Sequence, residues 1–173
     1  MCIRDRLWVV VFFAAMSGLS RTFVMEEERG TTLTLQLLAP PGAVFFGKLL
    51  FNFVLVTGVN AVTVVLYAAF INGFVIRTMS IFVVTVGLGS IGFAAAATVI
   101  AAIIARANTR GTLYPVLSFP IILPLLLSVI DATRMASEGA FFGEAAGEFQ
   151  LLISYIVVVI VSSAMLFEYI WKD

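Results

Sequence analysis

LLFNFVLVTGVNAVTVVLYAAFI, residues 49–71, decides the fold. The stretch carries no charge, and as a helix it rises about 35 Å, enough to cross a hydrocarbon core of about 30 Å. Comparable runs recur at 7–20, 80–105, 113–130 and 150–170. Hydrophobic residues make up 62% of the chain and charged residues 12%, against about 25% charged in soluble domains. The chain therefore reads as all-α, a polytopic membrane helix bundle of five transmembrane helices in one domain. Trp8, Tyr67, Tyr114, Tyr169 and Trp171 lie near segment ends, where amphipathic rings favour the headgroup zone.

Composition excludes several functions. The net charge is zero, so a nucleic-acid partner has no electrostatic support. Histidine is absent, which removes the commonest general base and metal ligand. Metal or haem chemistry on this chain would fall to Met, Tyr, Cys or carboxylates, and no metal site is expected. Cys2 is the single cysteine and forms no internal disulfide.

The densest charge cluster interrupts the apolar pattern at 26–48, EEERGTTLTLQLLAPPGAVFFGK. Lys/Arg bias orients it. Arg21, Arg29, Lys48, Arg106, Arg110 and Lys172 fall on one side against Arg77 and Arg134 on the other. Loop 21–48 and the C-terminus are thus expected in the cytoplasm. Arg4 and Arg6 oppose this, and the first segment is short for a span. An upstream helix, missing from a truncated start, would resolve the conflict; a short or tilted first helix is the alternative.

Gly42 to Leu49 nearly spells the phosphate loop G-x-x-x-x-G-K-[ST]. Leu49 replaces the hydroxyl that holds Mg²⁺, and Val44, Phe45 and Phe46 put bulk where amides must wrap phosphate. No ATP hydrolysis is expected here. A docking element fits better: Glu26 to Glu28 offer carboxylates to basic partner residues, while Gly30 and Pro40-Pro41-Gly42 turn the chain. Leu33, Leu35 and Leu37 alternate with period 2, leaving strand, interfacial helix or elbow open. An ordinary solvated loop is the plainer reading.

The fourth segment, LYPVLSFPIILPLLL at 113–127, holds Pro115, Pro120 and Pro124. Each removes a backbone donor and crowds the preceding turn, so a kinked or locally unwound span is expected. Such backbone survives at membrane depth only under cover of protein or a polar cavity. In the third segment Ser90, Ala94, Thr98 and Ala102 recur every four residues, a face for close helix packing. Asn52 and Asn60 are the strongest side-chain amides of the second segment, and Asn60, near mid-membrane, should hydrogen-bond another helix, because an unpaired amide is costly there. Loop 131–149 carries Asp131, Glu138, Glu144 and Glu148 against Arg134, with Phe141, Phe142 and Phe149 interleaved. It either meets a basic partner or is simply solvated.

The pattern R-x-F-x-x-E-x-E-x-G, a proline turn, then G-K-x-x-x-N resembles permease subunits of ABC exporters of the ABC-2 type. It is carried by Arg21, Phe23, Glu26, Glu28, Gly30, Pro40, Gly47, Lys48 and Asn52. With the triple-proline span, its preceding basic loop and Asp131-Ala-Thr-Arg134, the stretch 21–135 is similar to the cytochrome c maturation protein B (haem exporter protein B) family. The resemblance implies six helices in the complete protein and contact of 21–48 with a separate cytoplasmic ABC ATPase, which would hold the ATP. It further implies a bacterial inner-membrane complex with a haem-handling membrane protein and a small membrane subunit, embedded in lipid. The output would be haem delivery to c-type cytochromes, with haem carried by this chain or held by a partner. Alternatives are an ABC-2 exporter of a lipid-linked glycan or drug, and a non-transporting scaffold.

Overall fold

The computed structural model describes residues 3–19, 40–71, 76–106 and 113–172. Those residues form five helices: α1 (Ile3–Leu19), α2 (Pro41–Phe70), α3 (Met79–Arg106), α4 (Leu113–Glu138) and α5 (Ala146–Lys172). There is no strand among them. Four helices are long and apolar enough to cross a membrane, over Gly42–Phe70, Met79–Ala101, Ser118–Glu138 and Ala146–Phe167. The apolar part of α1 is shorter, Arg6–Ser17.

Helix boundaries depart from the apolar runs for local reasons. α2 starts at Pro41, eight residues before the apolar run at 49, because extended Pro40 hands over to a proline at the first helical position. That position has no intrahelical use for an N–H. α4 runs on to Glu138, so Asp131, Arg134 and Glu138 are helical rather than part of a loop. Ala-rich DATRMASE favours helix, and Arg134 pairs with Glu138 one turn on, Nε to Oε1 2.9 Å. Gly139, at φ +84°, ends the helix, and the Ala140 N–H closes back on the Met135 carbonyl (3.1 Å) in a Schellman turn. The connection to α5 shrinks to 139–145.

α3 is the centre of the bundle and packs on all four other helices. Its apolar window is 67% buried, against 22% in α2 and in α5. Small residues make this fit: Ser90, Gly92 and Ala94 to Ala97 are all buried or half-buried within one stretch. A Cβ on Gly92 would lie 2.5 Å from Leu125 Cδ1 of α4, so any larger residue there would have to push the Leu125 side chain aside. Outward faces of α2 (Leu50, Phe51, Val54, Val65) and α5 (Leu151, Val158, Met165) remain exposed, as lipid-facing surfaces do. Close packing and interhelical hydrogen bonds, rather than apolar burial, hold such a bundle.

Trp8 belongs to this packing. It is buried between helices, stacked on Phe93 with ring centroids 6.2 Å apart. Its indole N–H donates to Thr133 Oγ1 of α4 at 2.9 Å. A buried indole N–H needs such a partner.

Candidate coupling site

α2 follows the polar interruption directly. Pro40 is its N-cap, and Gly47 and Lys48 lie two turns inside the helix. Their backbone is committed to the helical ladder and cannot wrap a phosphate, so the G-x-x-x-x-G-K spelling carries no nucleotide site. Lys48 is 9% exposed, its stem packed in the bundle as long cationic side chains allow. Phe45 packs on Phe167 of α5, centroids 5.4 Å apart, tying the start of α2 to the end of α5. Arg21, Phe23, Glu26, Glu28 and Gly30 lie outside the described residues.

From that end, α2 is bolted to α3 by two side-chain bonds. Asn52 Nδ2–H donates to Thr98 Oγ1 (2.8 Å), and Asn60 Nδ2–H donates to Ser90 Oγ (2.7 Å). Each hydroxyl passes its own proton to a carbonyl one turn back, Thr98 to Ala94 and Ser90 to Val86. The two pairs are eight residues apart on both helices and run in opposite senses, so one antiparallel register satisfies both. Val56 and Ala94 lie between them, fully buried. A slide of one turn would set Asn60 against Ala94 and break both bonds. Asn60 Oδ1, buried, has no hydrogen-bond partner among the described residues.

α4 is one helix through its prolines, with Pro120 and Pro124 inside and Pro115 in its first turn. The backbone is therefore not interrupted there, and unwinding is corrected to an intact helix. α5 holds the turn beside Pro124: Tyr155 Oη–H donates to the Ile121 carbonyl at 2.8 Å. Ile121 follows Pro120, the residue whose carbonyl loses its helical donor at Pro124. Trp8, Thr133 and Tyr155 were absent from the sequence-based candidates. An aromatic hydroxyl in mid-span was the available signal for Tyr155, since it needs a partner at that depth.

At the far end of α2, the connection to α3 docks on α4. The Arg77 and Thr78 N–H groups both donate to the Ala136 carbonyl (3.2 and 2.9 Å). The starts of α2 and α4 and the ends of α3 and α5 thus share one end of the bundle; the 76–78 and 139–145 turns share the other. Among the described residues no group of three or more His, Cys, Asp or Glu could hold a metal ion.

No curated protein and no solved structure gives a significant match. The family model described as CcmB protein matches residues 4–168 of the 173, and the chain belongs to the CcmB protein family.

Proposed function

We propose that this chain is the membrane permease of a haem-export ABC system for c-type cytochrome maturation, driven by an ATPase on a separate subunit. Membership of the CcmB protein family makes it a membrane component of that system; the mechanical role is our reading. The observation that carries it is the register-locked pair of α2 and α3. α2 is 30 residues long, about 45 Å, and starts at the proline turn that closes the docking element. Displacement of Pro40 moves a rod whose Asn52 and Asn60 are fixed to the central helix, so α3 moves with it. α3 touches every other helix, and the displacement reaches the 76–78 and 139–145 turns at the opposite end.

In this reading residues 21–40 and the start of α2 face the cytoplasm of a bacterial inner membrane, and Glu26 and Glu28 meet basic residues of the ATPase. ATP binds and is hydrolysed on that partner. Haem is cargo, handed on at the far side or held by a neighbouring membrane subunit. Glu26→Lys with Glu28→Lys should abolish ATPase co-purification while membrane insertion is unchanged. Wild-type association in that double variant would remove the docking role.

A further inference from the structure

The turn at 139–145 is built more rigidly than a solvated linker requires. Gly139 takes the left-handed conformation. Ala140 donates to the Met135 carbonyl, and its own carbonyl accepts from Thr78 Oγ1 at 3.2 Å. Glu144 closes the tip twice: its Oε2 accepts from the Phe141 N–H (3.2 Å), and its N–H donates to the Phe141 carbonyl (3.0 Å). Ala145 is fully buried beneath. An ordered turn normally tucks its largest apolar side chains underneath. Here they point out: Phe141 is 81% exposed and Phe142 51%, with Phe142 leaning on Phe149 at 5.3 Å.

The turn's own charges are carboxylates, and one cation from outside it, Arg77, packs against Gly139, its Cδ 3.4 Å from where a Cβ would lie. Residues 139–148 contain Glu144 and Glu148 and no Lys or Arg. Arg134, on the helix before the turn, is already paired with Glu138. Carboxylates disfavour sinking the rings into an anionic headgroup layer. Aromatic faces next to carboxylates are instead the surface that a desolvating ammonium or guanidinium prefers, through ring quadrupole and charge together.

We propose that the 139–145 turn is a docking knob for a cationic, Lys/Arg-bearing extramembrane segment of a partner protein, at the end of the bundle opposite Pro40. Phe141 and Phe142 supply the contact faces, and Glu144 and Glu148 the countercharge. The inference stands apart from the ATPase reading, because it concerns the other end and needs no movement.

The test is photo-cross-linking in the assembled native complex, with a benzophenone residue at position 141 of the full chain and, as control, at lipid-facing Val157. The expected result is an adduct from position 141 to a protein peptide carrying Lys or Arg. Its yield should fall about tenfold in Glu148→Lys, a loss of roughly 1.4 kcal/mol, and should fall with added salt. Glu148 does not take part in the turn's own bonds, so that variant leaves the knob intact; Phe141→Ser, Phe142→Ser provides the second arm by competition. Adducts mainly to phospholipid, adducts to protein that ignore Glu148→Lys and salt, or no adduct above the Val157 control would each overturn the proposal.

Discussion

Tyr155 of α5 holds the carbonyl of Ile121 on α4 from 34 residues away, at 2.8 Å. Ile121 is next to Pro120, whose carbonyl has no helical donor because Pro124 carries no N–H and its ring pushes on that turn. Tyr155 thus steadies the proline-weakened turn through the neighbouring carbonyl.

Tyr155→Phe should therefore cost about 1 kcal/mol in detergent unfolding, and the cost should depend on the proline. Pro124→Ala restores the missing N–H and relaxes that turn, so Tyr155→Phe in its background should cost less. A double-variant cycle with coupling of about 0.5 kcal/mol or more is the expected outcome; strict additivity would separate the hydroxyl from the proline.

The two asparagines should behave differently although both bond α3. Asn60→Leu removes one hydrogen bond, on average about 0.6 kcal/mol between membrane helices, but also removes an unsatisfied buried carbonyl worth about 1–3 kcal/mol. It should be neutral or stabilising by thermal denaturation in detergent. Asn52→Leu should destabilise. The reverse order would show that Asn60 Oδ1 is satisfied in the membrane.

Gly89 sets the position of Trp8. A Cβ there would lie 2.9 Å from Trp8 Cη2 and 3.2 Å from Val129 Cγ1. Gly89→Ala should displace the ring, break the bond to Thr133 and cost about 1–3 kcal/mol. With Trp171→Phe to leave a single indole, Trp8 emission should shift to the red; an unchanged spectrum would place the ring elsewhere.

The docking and the transmission proposed above can be tested separately. Asn52→Leu combined with Asn60→Leu leaves residues 21–48 untouched, so ATPase co-purification should persist. Holo-cytochrome c levels should drop several-fold, because the rod no longer moves its neighbour in one register. Normal maturation in the double variant would confine α2–α3 bonding to packing.

The membrane bundle and its central packing face were legible because composition and four-residue spacing report directly on lipid exposure and helix approach. Ser90, Thr98, Asn52 and Asn60 could be singled out, since a polar group in an apolar span must find a partner. Which partner each would take was not legible, as that depends on the register between helices distant in sequence. Helix ends were misjudged wherever hydropathy stopped before helix propensity did, at Pro41 and across Asp131–Glu138. Trp8 was read from its place near a segment end; the glycine that makes room for it lies 81 positions later in the chain.

The centrality of α3 bears on how the chain is made. Its α2-facing hydroxyls find their asparagines as soon as the third segment leaves the ribosome. On its glycine side Gly89 can meet Trp8 of α1 at once, while Gly92 gains Leu125 only when α4 is synthesised. The α2–α3 seam can therefore be complete before the α3–α4 seam has its second half, so the order of synthesis matches the order in which the central helix acquires its neighbours.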